Sequence, residues 1–230
     1  MGSFFHGFNF NFMVSHLSSG MDWFHCFGCS FLLMILVFVV FLFYNLMGSR
    51  YYYKSFEDDY RFIEFFCSIF PSLVLLILMV PSLSLLYEYS MMNFSSDLNV
   101  GVVGHQWYWS YEYSDYTDEV GFDSYMLPSE DMILGDLRLL DVDNRCVIPS
   151  GVSVGFLIGS EDVIHSWALP CMSIKVDAVG GAISRVTCVF PLIGLYYGQC
   201  SEICGAYHSF MPIVIESTIS ENFVKWVAGS

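Results

Sequence analysis

The chain has 230 residues, with 8 Lys and Arg against 23 Asp and Glu for a formal net charge of -15; 55% of it is hydrophobic and only 13% charged. Ordinary soluble domains carry roughly 25% charged residues, so this composition excludes a disordered chain, a coiled coil and a nucleic-acid binder, all of which need more charge. A chain both apolar and acidic should divide into a greasy part and a charged part.

Residues 1–26 contain no Lys or Arg. They therefore lack the positive start of a secretory signal and the Arg-rich character of a mitochondrial import sequence. The chain is expected to be made inside the organelle or to belong to a bacterium. No charged residue lies between Asp22 and Arg50, and the apolar body Phe27–Met47 has 21 residues, roughly 31 Å of helix. That matches the hydrocarbon core of a bilayer. A second uncharged run lies between Glu64 and Glu88, with Phe65–Leu86 as its body. It contains Pro71 and Pro81, which membrane helices tolerate. We expect an N-terminal outer-side segment over 1–26 and a transmembrane helical hairpin over 27–87, with spans at about 27–47 and 65–86 and a loop at 48–64. That loop carries Arg50, Lys54 and Arg61, so the positive-inside rule keeps it inside and sends both termini out. Its acids Glu57, Asp58, Asp59 and Glu64 count for little in that rule.

Residues 88–230 hold 18 acidic and 5 basic residues, a net -13. Here the pattern changes to alternation. Trp107, Trp109, Tyr111 and Tyr113 are all aromatic, and most residues between them are polar, the signature of a strand with one packed face. Further strands are expected at 137–142, 145–148, 152–158, 173–177, 183–190, 194–199 and 212–217, the first two joined by Asp143-Asn144. Short strands with Gly and Pro turns argue for a single all-β sandwich or barrel. Ser220 is a candidate cap for a short helix through Val227.

Cys26 and Cys29 form a C-x-x-C beside His25. Such a pair can bind metal, yet no second pair completes a site, and small buried hydrophobes are the commoner use. Cys67, Cys146, Cys171 and Cys188 are isolated and read as structural; in an outward domain they could also pair as disulfides. The run Gly198–Pro212 differs, because it places Cys200, Cys204, His208 and Met211 within twelve residues. Thiolate and thioether are soft ligands suited to copper, and imidazole suits it too. His165, upstream at a strand end, supplies a second imidazole. A one-copper site needs one Cys, whereas two bridging thiolates would hold two coppers with one imidazole each. The 4, 4, 3 spacing also fits a buried helix stripe, although Gly198, Gly205 and Pro212 work against a helix. A Cys200–Cys204 disulfide is the other structural alternative.

The stretches GHQWYWSYEY (Gly104–Tyr113), EDVIHSWA (Glu161–Ala168) and YYGQCSEICGAYHSFMP (Tyr196–Pro212) closely resemble subunit II of cytochrome c oxidase, mitochondrial-type and CuA-containing. The resemblance covers nearly the whole chain. It implies a two-helix hairpin followed by an all-β cupredoxin-like domain over 88–230, in the mitochondrial inner membrane or, alternatively, a bacterial plasma membrane. It implies that Cys200 and Cys204 bridge two copper ions (CuA), with His165 and His208 as terminal imidazoles and Met211 as the weak thioether. Glu202 would bind copper through its carbonyl and magnesium, shared with subunit I, through its carboxylate. Trp107 would take electrons from cytochrome c, and Glu64, seven residues before Pro71, would stand at the mouth of a proton path. The implied partners are cytochrome c, subunit I, other oxidase subunits and the bilayer. The implied activity is transfer of single electrons to the haem and copper centres of subunit I, where oxygen is reduced to water and protons are pumped.

Cytochrome c is basic, so an acidic domain would steer it, and Glu112, Asp115, Asp118, Glu119, Asp162 and Asp177 are the candidate docking acids. Any of these acids can equally be a solvated face, and Trp107 a core aromatic. His105 reads as a hydrogen-bonded structural histidine. Cys171 and Gly180 depart from the family, which usually has a small hydroxyl residue and a proline there. Competing readings are a membrane-anchored copper-delivery or thiol-exchange protein, a copper-free quinol oxidase subunit, which would lack the Cys pair, and a nitrous oxide reductase domain, which would lack the hairpin.

Overall fold

The protein is described here from a computed structural model covering residues 13–49, 60–91, 95–116 and 120–229. Among these, residues 20–88 form one compact unit, and residues 13–19 with 89–229 form another.

The first unit holds α1 (His16–Gly48) and α2 (Arg61–Ser90). Helix α1 starts eleven residues ahead of the apolar body at Phe27. The cause is a capping box at Ser15: its hydroxyl accepts from the Ser18 N–H at 3.0 Å, while the Ser15 N–H donates to the Ser18 hydroxyl at 2.9 Å. Two otherwise unsatisfied donors are thereby paired. Both prolines lie inside α2. Leu36, Phe41, Phe43, Leu75 and Val80 are more than half exposed, and both helices are long and apolar enough to cross a membrane. Arg50, Lys54, Glu57, Asp58 and Asp59, on which the orientation argument partly rests, lie outside the described residues.

The second unit is a β-sandwich of ten strands. They are β1 (Leu98–His105), β2 (Tyr108–Tyr113), β3 (Val120–Ser124), β4 (Cys146–Pro149), β5 (Ser153–Ser160), β6 (His165–Leu169), β7 (Ile174–Ala178), β8 (Ser184–Val189), β9 (Gly194–Gln199) and β10 (Pro212–Thr218). A closing helix α3 spans Ser220–Gly229. The sheets run β3-β2-β1-β5-β8, β4-β10-β9 and β6-β7. β1 lies parallel to β5, with Leu98 opposite Val154, and antiparallel to β2, with His105 opposite Tyr108. The aromatic alternation behaves as its period requires: Trp109, Tyr111 and Tyr113 are buried. They share a core with Phe156, Trp167, Ile213 and Ile215. Across the sheets Phe156 packs on Trp167 with ring centroids 4.7 Å apart, and the Trp167 Nε1–H donates to the Tyr111 hydroxyl at 3.4 Å.

Three expectations need correction. Residues 137–142 form turns, with one isolated bridge at Val142. Leu139 sits at φ 68°, and the Leu140 and Asp141 N–H groups both donate to the Leu137 carbonyl, a conformation no strand adopts. His165 begins a strand instead of ending one. Ser220 is the first helical residue, because the Ile219 carbonyl accepts from the Phe223 N–H, which places the cap at Ile219.

One close approach positions the site. A Cβ on Gly198 of β9 would lie 1.9 Å from the Ala168 carbonyl oxygen of β6. Only a glycine lets the two strands run this near.

Burial pushes the Cys146 and Cys188 thiols up to about 12, from an ordinary value near 9. At pH 8 on the order of one thiol in ten thousand is then ionised, and the thiolate is the reactive form. Iodoacetamide at pH 8 is expected to spare both cysteines in the native domain and to label both in denaturant. A group with a raised folded pKa withdraws its stability contribution as pH rises, so the domain should lose stability between pH 9 and 12. Rapid native labelling of either residue would contradict this burial.

Candidate metal centre

The site is assembled from three places. His165 comes from the start of β6, the strand held against β9. Cys200 through Met211 come from the loop between β9 and β10, which is irregular apart from one 3-10 turn at His208–Phe210. Gln106 and Trp107 come from the β1–β2 connection. The buried-helix alternative for the 4, 4, 3 spacing therefore falls away. The loop is tied at both ends: the Ser201 N–H donates to the Ser166 carbonyl at 2.9 Å, and the Cys200 N–H to the Met211 carbonyl at 3.4 Å.

The two sulfurs stand 4.0 Å apart and both cysteines are free, so there is no disulfide between them. Each has its own imidazole: His165 Nδ1 is 3.9 Å from Cys200 Sγ, and His208 Nδ1 is 3.6 Å from Cys204 Sγ. Each also has a third neighbour. The Glu202 carbonyl lies 3.4 Å from Cys200 Sγ, and Met211 Sδ 3.5 Å from Cys204 Sγ. His165, Cys200, Cys204 and Met211 are buried. Burial, reinforced by the Cys200 thiol beside it, pushes the Cys204 thiol up to about 12. A metal entering here must therefore displace protons. Two thiols, two imidazoles, a thioether and a carbonyl form a donor set for a soft ion, and the set fits copper.

His165 is oriented by Asp162. The Asp162 carboxylate accepts from the Gln106 N–H at 2.7 Å and the Val163 N–H at 2.6 Å, and meets His165 Nε2 at 2.8 Å. Partial burial opposes its ionisation, but the bonds from His165, Gln106 and Val163 outweigh it and hold the carboxyl below its usual range. A carboxylate only accepts, so His165 Nε2 carries the proton and Nδ1 presents its lone pair towards Cys200. The other face of the ring is confined, since a Cβ on Gly104 would lie 2.9 Å from His165 Cδ2.

Trp107 is fastened to the same loop. Its neighbour Gln106 donates from Nε2 to the Cys204 carbonyl at 2.7 Å. The Trp107 ring meets Tyr207 edge-on at 4.9 Å. It also lies against Gly205, whose φ of +124° favours glycine and where a Cβ would sit tightly, 3.1 Å from the ring. The indole Nε1 is buried and has no hydrogen-bond partner among the described residues.

The other expected residues are scattered. Glu202 is half-buried in the ligand loop. Glu64 is exposed in the first turn of α2, in the helical unit. Asp177 is paired opposite Ser166 and held below its usual range by Lys175 and by the Ser166 hydroxyl. Glu112 lies further along β2, opposite Gly101, and Asp115 accepts from the Asn99 N–H at 2.6 Å beyond that strand's far end. Asp118 and Glu119 lie outside the described residues. His105 is hydrogen-bonded as expected, its Nδ1 3.0 Å from Glu161. Sequence reasoning had no place for Gln106 or for the orienting role of Asp162. A His three residues after an Asp was the available signal.

A family model described as cytochrome c oxidase subunit II, periplasmic domain, matches residues 98–218. The chain is 55% identical over 230 residues to cytochrome c oxidase subunit 2 of Caenorhabditis briggsae, covering 100% of this chain and 99% of that one. It is 54% identical over 229 residues to that of Ascaris suum, covering 100% and 98%. Among solved structures, the periplasmic domain of subunit II of cytochrome oxidase (CoxB) of Bradyrhizobium japonicum superposes with a TM-score of 0.55 at 39% identity, over 60% of this chain and 96% of that one.

Replacing Asp162 by Asn keeps the shape but offers the imidazole an amide that can donate, favouring the tautomer with its proton on the metal-facing nitrogen. Copper affinity is expected to fall about 10–100-fold with the fold intact, as read by competition with a chelator and by circular dichroism. Unchanged affinity would remove Asp162 from the site.

Proposed function

The chain belongs to the cytochrome c oxidase subunit II family, a component of the oxidase complex, and on that premise we propose that it receives single electrons from cytochrome c at a binuclear copper centre. The electrons pass to the haem and copper centres of subunit I, where oxygen is reduced to water and protons are pumped. The observation that carries this reading is the symmetry of the donor set. Two thiols 4.0 Å apart each have a separate imidazole nitrogen, at 3.9 and 3.6 Å. One ion would leave half of that set idle.

When bound, the copper pair supplies a one-electron acceptor whose charge change is shared between two metals. The chain's own residues do the rest. Cys200 and Cys204 would hold the copper pair through their thiolates and His165 and His208 through their imidazoles, with Met211 and the Glu202 carbonyl as the further donors. His165, Cys200, Cys204 and Met211 are buried beneath the loop's outer residues, so little solvent would reorganise around them when charge changes. Trp107, strapped to the Cys204 segment, is the proposed point of electron uptake. The Glu202 carboxylate is the proposed ligand of a magnesium ion shared with subunit I, and Glu64 a carboxylate at the start of a proton path. Two spans in the mitochondrial inner membrane, with both termini on the intermembrane side, place the acidic domain where a basic cytochrome c would meet it. Glu112, Asp115, Asp118, Glu119, Asp162 and Asp177 contribute to the attracting field; Asp162, committed to His165, acts within the site as well.

Electron paramagnetic resonance of the copper-loaded protein tests the centre. The expected spectrum is split by two equivalent copper nuclei and is lost in Cys200→Ser. Splitting by a single nucleus would instead favour a copper-delivery role. Electron uptake is tested by stopped-flow reduction with cytochrome c. The association rate should fall on the order of tenfold from low to physiological salt. Trp107→Ala should slow the transfer step while leaving that salt dependence intact.

A further inference from the structure

Trp109 belongs to β2, in the five-stranded sheet, and is fully buried. Its side chain nevertheless touches two donors that come from other strands and the loop between them. The indole Nε1–H donates to the Met211 carbonyl at 3.4 Å. The same ring meets the His165 ring edge-on, with centroids 5.8 Å apart and planes at 63°, within the range of a favourable aromatic contact. We propose that Trp109 is a positioning residue for the copper centre, holding the thioether end of the donor set and the His165 imidazole in fixed relation. The inference rests on the copper reading above.

Each contact reaches a different half of the set. Met211 Sδ lies 3.5 Å from Cys204 Sγ, and His165 Nδ1 lies 3.9 Å from Cys200 Sγ. The Met211 carbonyl also accepts from the Cys200 N–H at 3.4 Å, one step beyond the β9–β10 ladder, where Pro212 stands opposite Gln199. A carbonyl oxygen has two lone pairs. One closes the ligand loop at its base, and the other ties that closure to β2. The ring is itself confined. Gly104 lies opposite Trp109 in the β1–β2 register, and a Cβ there would come within 2.9 Å of His165 Cδ2 and 3.1 Å of Trp109 Cζ3. Packing this close transmits a displacement instead of absorbing it. The placement of a weak thioether tunes the potential of a copper site. Unequal movement of the two ends would also make the two coppers unequal, so the indole guards their equivalence.

The test loads the full chain, purified in detergent, with copper and compares three substitutions. Trp109→Phe removes the N–H and shortens the ring. Benzothienylalanine at position 109 keeps nearly the whole shape and removes only the N–H, so it serves even where Trp109→Phe fails to fold. Tyr113→Phe is the control: it deletes a buried hydroxyl bonded to the Val147 carbonyl at 2.8 Å on the same strand, away from the donors. Both changes at Trp109 are expected to shift the reduction potential and to render the two copper nuclei inequivalent in the paramagnetic resonance spectrum. Copper affinity in Trp109→Phe should fall about tenfold or more. Tyr113→Phe should lower the unfolding midpoint and leave spectrum, potential and affinity as in the unmodified chain. An unmodified spectrum and potential in either Trp109 substitution would overturn the proposal, as would equal changes in Tyr113→Phe. Splitting by a single nucleus in the unmodified chain would overturn the binuclear reading instead, and potential and affinity would still decide the role of Trp109.

Discussion

The candidate metal centre depends on the distance between two strands. Gly198 lies so near the Ala168 carbonyl that a methyl group would overlap it, and this contact brings the strand beginning at His165 beside the strand ending just before Cys200. Larger side chains would push β6 outward by an ångström or more, because packed interiors do not compress. An imidazole moved that far loses its sulfur neighbour. The aromatic core sets the other boundary, with Phe156 and Tyr111 holding Trp167 of β6 from behind. His165 is thus placed by packing before any metal arrives.

The two halves of the donor set are built by different means. Cys204, His208 and Met211 come from one loop, where 3-10 turn geometry is enough to bring them together. Cys200 and His165 are 35 residues apart, so their meeting requires the finished sandwich. Local contacts tolerate partial unfolding better than distant ones. The half containing His165 should therefore be the more sensitive to damage elsewhere in the domain. Asp162 reinforces that weaker side by fixing the ring through Nε2, and Gln106 ties the local half in turn, joining the β1–β2 connection to the Cys204 carbonyl.

Much of this was legible from residue order alone. Charge-free runs marked the two helices, and period-2 aromatics marked β2. The chemistry of Cys200, Cys204, His208 and Met211 marked the centre. What escaped had physical reasons. β1 reads Leu98-Asn99-Val100-Gly101-Val102, with small and polar residues on its outer face that resemble turn signals. β6 is buried on both faces and so shows no alternation. Residues 137–142 alternate well enough for a strand, but Gly135 and Leu139 take positive φ angles and turn the chain instead. The early start of α1 follows from Ser15 and Ser18, a capping box without the usual Glu or Gln. Asp162 looked like one surface acid among many, since spacing cannot say which carboxylate turns inward.

That last ambiguity bears on how an acidic face works. A net -13 over residues 88–230 creates a field that adds the contributions of all its charges, and at distances beyond contact no single acid dominates it. An acid bound internally still contributes: Asp162 keeps its charge while holding His165 in place. Attraction over long range and construction at short range are therefore not competing uses of a carboxylate. A surface can be crowded with anions for steering while the few nearest the metal are spent on orientation, provided that each keeps its proton off. The lowered Asp162 satisfies that condition, because the hydrogen bonds that fix the imidazole also keep the carboxylate ionised.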